Sequence, residues 1–313
     1  MFTSIILCLF TVVFLAWSNP FSSYTEYLEK YNKSYTSPIL YLRHFNTYID
    51  KRNEMLSFNT ANFTWKKGIN RFSDLSETEF SKILNLNKKT HTKIVRAITY
   101  TSLPKSIDWR TENSVTNIKD QGLCGSCWPF SAIGSLEDAH SNKIGEQNLV
   151  DCAQIYGRDG CKGWWMNSVL KYVQYNHTVN TQVTYPYVSK DEEGEYKKQE
   201  KVVTTVENEV NITSEATYAL LHAVSTVGPI SVAIDATELQ DYKSGIFSST
   251  TCSSKFLNHG LLVVGYGVTT TEQKYYIIKS SWDTTWGMDG YVYWDRDIPN
   301  MCGIATRASY PVT

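Results

Sequence analysis

The sequence has 313 residues, 42% of them hydrophobic, and a formal net charge of −1. This length is ample for a buried core and for one large or two modest domains. The near-neutral charge gives no electrostatic reason to expect a nucleic acid or an anionic membrane as a partner, and we predict neither.

The chain begins with an uncharged apolar run, Ile5 to Trp17. The run is too short for a comfortable membrane span, and small residues follow where a signal peptidase cuts. We predict a signal peptide over residues 1–18, entry into the secretory pathway and no stable membrane insertion; an uncleaved anchor is the alternative. An oxidising lumen permits disulfides and N-glycosylation, for which Asn176 and Asn211 are the predicted sites.

Residues 19–100 are rich in Tyr, Asn, Lys and Glu and contain no cysteine. Apolar periodicity predicts one helix over Tyr24–Tyr31 and a longer one over Ile39–Asn59. Asp74 precedes a polar helical start, where a helix N-cap is the plain interpretation of an aspartate. Residues 85–102 show no pattern and predict a linker.

Two cysteines three positions apart stand in the stretch Gln121 to Trp128 (QGLCGSCW). A C-x-x-C pair can be a redox pair or half of a metal site. The other cysteines are scattered, so we predict no metal and no cofactor. Apolar spacing after Cys127 predicts a helix that begins there. The helix dipole and free N–H groups at such a position favour a thiolate.

Helical patterns continue over Glu146–Cys152 and Met166–Tyr175. The C-terminal part then changes character, with short β-rich runs bounded by glycine. The predicted strands cover residues 229–234, 260–266, 275–279 and 290–294. A helical half followed by a strand-rich half indicates an α+β fold with a cleft between two lobes.

The stretch around Cys127 resembles the active-site signature of papain-like cysteine peptidases, C-G-[SA]-C-[WY], which a histidine follows roughly 130–150 residues later. His259, in Asn258-His259-Gly260, falls within that interval. Gly68 to Asp74 (GINRFSD) resembles the G-x-N-x-F-x-D motif of cathepsin L-type propeptides. The whole chain is therefore similar to a cathepsin L-type zymogen.

This resemblance implies a papain-like two-lobed fold, with a helical lobe and a β-barrel-like lobe, preceded by a helical propeptide. The implied segments are an inhibitory propeptide over 19–102, a helical lobe over 103–212 with the cysteine nucleophile, and a β-rich lobe over 213–313 with the histidine. The propeptide would lie backwards along the cleft as an inhibitor, with Asp74 as an alternative candidate for an acid trigger. The mature protein would be a monomer, lysosomal or extracellular, that acts on protein and peptide substrates.

The resemblance also assigns roles to single residues. Cys127 is the expected nucleophile, His259 its base and later acid, and Gln121 a donor to the oxyanion. The family motif Lys/Arg-Asn-Ser-Trp-Gly appears here as Lys279 to Asp283 (KSSWD), so that Ser280 replaces the asparagine that orients the histidine. A hydroxyl is shorter than an amide and needs a bridging water to reach the ring, which predicts a slower enzyme.

The expected substrate cleft departs from the family as well, because Trp164 replaces a glycine that pairs with the substrate backbone. The pocket for the side chain next to the scissile residue would have a cation at its floor, Arg307, which favours an acidic substrate side chain; an arginine turned to solvent is the alternative. The expected substrate-binding residues are Gly163, Trp164, Trp165, Met166, Ala233, Leu257, Arg307 and Trp282. By resemblance Cys124 pairs with Cys161 and Cys252 with Cys302, which leaves Cys152 as a free buried thiol.

Two other functions remain open at this point. The first is a catalytically attenuated papain-fold protein retained for binding, as suggested by Ser280, Trp164, Pro129 and the partnerless Cys152. The second is a thiol–disulfide oxidoreductase, which would require a reversible bond between Cys124 and Cys127.

Overall fold

The computed structural model describes residues 20–86, 102–140, 144–153, 160–192, 201–203 and 206–313. The predicted signal peptide and most of the predicted linker lie outside these residues. The α-helices within the described ranges are α1 (Pro20–Lys30), α2 (Pro38–Thr60), α3 (Glu77–Ser81), α4 (Cys127–His140), α5 (Glu146–Cys152), α6 (Met166–Asn176) and α7 (Thr217–Thr226). Within the same ranges no helix combines the length and apolar character needed to cross a bilayer.

The strands are β1 (Trp65–Lys67), β2 (Ile107–Asp108), β3 (Thr178–Asn180), β4 (Lys201–Val203), β5 (Asn208–Asn211), β6 (Ile230–Ile234), β7 (Tyr242–Phe247), β8 (His259–Val268), β9 (Lys274–Lys279), β10 (Tyr291–Asp295) and β11 (Arg307–Val312). The large sheet has the order β1-β7-β10-β9-β8-β6-β11-β5, with β2 added beside β8, and a small sheet pairs β3 with β4. The pair β7–β10 is parallel and the other pairs are antiparallel.

Helix α4 connects the two lobes, because its apolar side chains are buried in the helical lobe while its backbone lies against β8. Trp128, Ala132 and Leu136 are fully buried, as their spacing predicts. Ser131 Oγ donates to the carbonyl of Leu261 at 2.6 Å and lies 2.7 Å from Ser231 Oγ, which joins α4 to β8 and β6. These bonds place the start of α4 beside the start of β8.

The propeptide has its own small aromatic core between α1 and α2, formed by Tyr24, Tyr27, Phe45 and Tyr48. It also joins the large sheet, because β1 pairs antiparallel with β7. The Trp65 ring then packs 4.9 Å from that of Phe247 in the shared core. The N-terminal segment is therefore part of the same folded unit as the large sheet.

The N-cap interpretation of Asp74 is wrong. Ser76 caps α3 through a capping box, in which its side chain accepts from the N–H of Glu79 and Glu79 accepts from the N–H of Ser76. Asp74 is instead fully buried, accepts from Tyr27 at 2.9 Å and Tyr35 at 2.6 Å, and forms an ion pair with Lys33. The Asp74 carboxylate therefore accepts hydrogen bonds from side chains that are distant in sequence, and not from the nearby N–H groups that a helix cap would bind.

The two sequence halves do not map cleanly onto the two lobes. The N-terminal strand β2 pairs with β8, and β5 pairs with β11, so segments from before residue 213 complete the large sheet. Cys124 bonds to Cys161 and Cys252 to Cys302, the pairs that the resemblance implied. Cys152 forms no disulfide within the described residues and is half-buried rather than buried, and its sulfur accepts a hydrogen bond from Asn148 Nδ2 at 3.5 Å.

Candidate active site

Cys127 is the first residue of α4 and is completely buried. The loop before it is held by the Cys124–Cys161 disulfide and by the Gly125 N–H, which donates to the Cys161 carbonyl at 2.8 Å. Since Cys124 is bonded to Cys161 and Cys127 is free, the oxidoreductase interpretation of these two cysteines is wrong.

His259 is the first residue of β8, and its neighbour Gly260 contacts Cys127. A Cβ on Gly260 would lie 3.2 Å from the Cys127 carbonyl oxygen, and the Gly260 N–H points at the Cys127 sulfur. The structure therefore places the backbone next to His259 against Cys127, while no hydrogen bond joins the His259 ring to a described residue.

Burial controls the ionisation of both groups in the zymogen. Burial raises the pKa of the Cys127 thiol to about 12, although the N–H groups of Gly260, Trp128 and Cys127 itself lower it. Burial also lowers the pKa of His259 to about 3. Desolvation disfavours charge in both cases, so the covered pair is a neutral thiol and a neutral imidazole.

The His259 ring is positioned by stacking. It lies against the Trp282 indole, with ring centroids 4.5 Å apart and planes inclined by 25°. Neither ring nitrogen makes a hydrogen bond within the part of the chain described, and the same is true of Ser280 Oγ. Ser280 thus does not take over the direct bond that the family's asparagine makes.

A cavity of about 20 Å³ adjoins Ser280 and is also lined by Ser281, Gly260 and Ser131. This volume is sufficient for one water molecule, and serine hydroxyls lie among its mostly apolar walls. Where the family has an asparagine, this chain therefore has the shorter Ser280 and, beside it, a cavity large enough for one water molecule.

Gln121 is fixed on both sides of its amide. Its Oε1 accepts from Ser281 Oγ at 2.6 Å, and its Nε2 donates to the carbonyls of Cys124 at 2.9 Å and Ile83 at 3.2 Å. Ile83 lies in the segment that the sequence analysis assigned to the propeptide, so a carbonyl of that segment occupies the donor that the resemblance assigns to the oxyanion.

The propeptide continues through the cleft beyond Ile83. Leu86 is buried in one cluster with Cys127, and its N–H donates to the Asn258 carbonyl at 3.2 Å. The Asn85 backbone crosses Gly163 so closely that a Cβ there would collide with it, and Gly163 has a φ of +90°. A side chain at residue 163 would therefore block this path.

Leu86 belongs to the same buried cluster as four residues that the sequence analysis assigned to a substrate side-chain pocket. Its cluster includes Trp165, Met166, Ala233 and Leu257, which together we call the Leu86 pocket. Trp164 packs against the same cluster and remains half-buried. The sequence did not identify Ile83, Leu86 or Asn258 as part of the site, because their roles arise only when the propeptide lies in the cleft.

Arg307 does not turn away to solvent. Its guanidinium carbon lies 3.7 Å from the centroid of the Trp165 ring, and the side chain is half-buried. The cation is therefore stacked on Trp165, one of the residues of the Leu86 pocket.

The propeptide is anchored outside the cleft by its G-x-N-x-F-x-D segment and the residues around it. Phe72 packs at 5.3 Å from Trp282, and the Gln240 amide donates to the carbonyls of Phe72 and Leu75. Arg71 forms an ion pair with Asp120 at 2.5 Å. These contacts cover the indole that stacks on His259, which accounts for the burial of the site.

The geometry describes a thiol and an imidazole at the junction of two lobes, under a covering segment, and comparisons with known proteins agree. The profile "Papain family cysteine protease" matches residues 103–312, and "Cathepsin propeptide inhibitor domain (I29)" matches residues 24–80. The chain belongs to the papain family of cysteine peptidases. With its propeptide domain it has the organisation of a cathepsin L-type zymogen.

Related sequences and a related solved structure support this family assignment. Cathepsin L2 of Homo sapiens is 41% identical over 284 residues, covering 84% of each chain. Cathepsin L of Sarcophaga peregrina is 38% identical over 282 residues, covering 84% of this chain and 82% of that one. Digestive procathepsin L 3 of the Tenebrio molitor larval midgut superposes with a TM-score of 0.87 at 36% identity, covering 95% of this chain and 100% of the other.

Proposed function

We propose that the processed chain hydrolyses peptide bonds with Cys127 as nucleophile and His259 as proton carrier. The thiolate attacks the carbonyl carbon, and the resulting oxyanion accepts hydrogen bonds from Gln121 Nε2 and the Cys127 N–H. The imidazolium then protonates the leaving amine, and a thioester remains. Water hydrolyses the thioester with His259 as base, which restores the thiol.

The observation that carries this proposal is the occupancy of the site by the propeptide. Ile83 places a carbonyl on the Gln121 donor while Leu86 fills the adjacent side-chain pocket. A peptide backbone and a side chain therefore fit the cleft next to the thiol. The same contacts account for inhibition, because they hold Cys127 and His259 dry and neutral until the propeptide leaves.

An epoxide inhibitor of cysteine peptidases, combined with peptide mass mapping, tests the proposal. After acid processing we expect one label on Cys127 and cleavage of fluorogenic peptides at mildly acid pH. The intact zymogen and a Cys127→Ala variant serve as unlabelled controls. A correctly folded, processed protein that shows neither label nor cleavage would contradict the proposal.

Ser280 supports a second candidate, an attenuated peptidase retained for binding. Its hydroxyl makes no bond to His259 among the described residues, so the ring lacks one restraint. If both the natural chain and a Ser280→Asn variant bind a partner without turnover, binding is the function. We favour catalysis, because the sequence keeps Cys127, His259 and Gln121, and Gly260 beside His259 lies against Cys127.

The remaining proposals concern the localisation, processing and glycosylation of the protein. We propose a secretory route through the signal peptide, a lysosomal or extracellular destination, and a monomeric mature enzyme that begins near Leu103. Asn176 and Asn211 are the proposed glycan acceptors of the mature part. Intact-mass measurement of the secreted protein, before and after deglycosylation, would test the position of the mature N-terminus and the glycosylation of Asn176 and Asn211.

A further inference from the structure

The backbone of Gln121 is held by hydrogen bonds on both sides of its Cα atom. Its N–H donates to the carbonyl of Ser281 at 2.8 Å. Its carbonyl oxygen accepts from the Tyr187 hydroxyl at 2.8 Å and from the Ser189 hydroxyl at 2.8 Å. A carbonyl oxygen has two lone pairs, so both acceptor positions are used. The two peptide planes that flank Gln121 are therefore fixed by groups that are distant in sequence.

Residues 187–189, which we call the clamp segment, are in turn attached to the helical lobe. The Val188 N–H donates to Gln147 Oε1 at 3.0 Å, and Gln147 Nε2 donates to the Lys190 carbonyl at 2.9 Å. Gln147 lies on α5 and is fully buried. The clamp segment therefore transmits the position of a buried helix to the Gln121 carbonyl.

The two hydroxyls of the clamp segment are directed at this carbonyl by further contacts. Ser126 Oγ lies 2.6 Å from the Tyr187 oxygen. Because Tyr187 donates its hydrogen to Gln121, Ser126 is the donor in that contact, and such chains strengthen each bond. Ser189 has a φ of +59°, which is uncommon for serine, and its Oγ would collide with a Cβ at Gly122. The close approach thus depends on the glycine that follows Gln121.

We propose that Tyr187 and Ser189 are positioning residues for the oxyanion site, which fix the Gln121 backbone so that its Nε2 is directed at the oxyanion formed when Cys127 attacks. A glutamine side chain rotates about several bonds, so a preorganised donor must be held at both ends. Ser281 Oγ holds the far end through Oε1, and the clamp segment holds the backbone. This inference rests on the proposed peptidase function and adds two residues to it.

The first test measures kcat and KM of the processed enzyme on a fluorogenic peptide. Tyr187→Phe and Ser189→Ala each leave one bond on the Gln121 carbonyl, so we expect kcat to fall about twofold to threefold in each and about tenfold in the double variant, with KM nearly unchanged. Tyr185→Phe is the matched control, because its hydroxyl donates to Asp151 at 3.1 Å, and it should keep the natural kcat. An unchanged kcat in the folded double variant, or a change in KM alone, would overturn the proposal.

A double-mutant cycle with Gln121 distinguishes positioning from a general loss of structure. In a Gln121→Ala background the donor is absent, so the two hydroxyl deletions together should change kcat by less than about twofold. The full decrease in that background would mean that the hydroxyls act elsewhere, and the proposal would fail. Ser189→Gly removes the same hydroxyl and suits the positive φ, so it replaces Ser189→Ala in the cycle if the alanine form does not fold.

A peptide aldehyde and the corresponding peptide alcohol give an equilibrium measurement of the same effect. The Cys127 sulfur adds to the aldehyde carbon, and the carbonyl oxygen then takes the place of the oxyanion, whereas the alcohol has no carbonyl to attack. We expect the double variant to bind the aldehyde about tenfold more weakly and the alcohol with nearly unchanged affinity. Equal losses for the two inhibitors would contradict the proposal.

The outcomes separate the positioning inference from the peptidase function. Failure of the natural processed chain to cleave any peptide contradicts the function, and NMR of the Cys127→Ala zymogen then decides the inference. There Gln121 Nε2 donates to the Cys124 carbonyl at 2.9 Å. The side-chain amide signals of Gln121, assigned by their loss in Gln121→Ala, should shift in the double variant and not in Tyr185→Phe. Signals that stay in place in the double variant would overturn the inference.

Discussion

The burial of His259 makes the stability of the zymogen depend on pH in a way that one substitution can isolate. The pKa of His259 is lowered to about 3 by burial, whereas an exposed histidine titrates near 6.5. Between these values the unfolded chain binds a proton that the zymogen does not. The stability contributed by the neutral ring is therefore complete above about pH 6.5 and is lost as the pH falls towards 3.

The size of the effect follows from the two pKa values. At about pH 5 the unfolded state gains about 2 kcal/mol through this proton, at 1.36 kcal/mol for each pKa unit. We expect urea unfolding of a Cys127→Ala zymogen to show this loss between about pH 7 and pH 5. The variant that also carries His259→Gln should lack it, while all other titrating groups contribute equally to both proteins.

The difference between the two proteins is the quantity that matters, because buried carboxyl groups such as Glu146 and Asp241, whose pKa values are raised by burial, also respond to acid. A difference below about 0.5 kcal/mol would mean that His259 keeps an ordinary pKa under the propeptide, and the argument from desolvation would fail. The same linkage applies to propeptide release. A re-exposed His259 takes up a proton, so acid favours the open form over the covered one.

Three further substitutions have defined outcomes. Ser280→Asn should raise kcat of the processed enzyme by about threefold to tenfold with KM nearly unchanged, because one hydrogen bond to the ring is regained; an unchanged kcat would show that serine already orients the ring. Gln121→Ala should lower kcat by about 10²-fold or more in the same peptide assay, and an effect on KM alone would contradict its role at the oxyanion. Asp74→Asn should lower the unfolding free energy of the zymogen by about 3 kcal/mol, because Lys33 loses its buried partner; unchanged denaturation curves would contradict this.

Helices could be predicted from the sequence, whereas the pairing of strands could not. The prediction of a helix over 39–59 differs by one residue at each end from α2 (Pro38–Thr60), a stretch that no glycine and no internal proline interrupts. Strand β1 has three residues and no period, and it becomes a strand only through β7. The mixing of the two lobes has the same origin, since β2 and β5 are defined by long-range partners.

The site divides along a similar line. Cys127 and His259 were predicted from their motif and spacing, while Leu86 and Ile83 carry no local signature of a residue that lies in the cleft. The two interpretations of Asp74 show that neighbouring residues alone do not reveal long-range contacts. Ser76 and Glu79 have the S-x-x-E spacing of a capping box, which identifies the cap, but nothing local reveals that Lys33 and two tyrosines converge on Asp74.

The segment 280–282 explains why the change at Ser280 should affect rate more than binding. Ser281 holds the Gln121 amide and Trp282 stacks on His259, so both neighbours of the altered position keep their contacts. Stacking fixes the plane of the imidazole but permits rotation within that plane, which a hydrogen bond to a ring nitrogen would restrict. The missing hydrogen bond therefore leaves the orientation of the His259 N–H within the ring plane less restricted. That direction matters during proton transfer and not when the peptide enters the pockets.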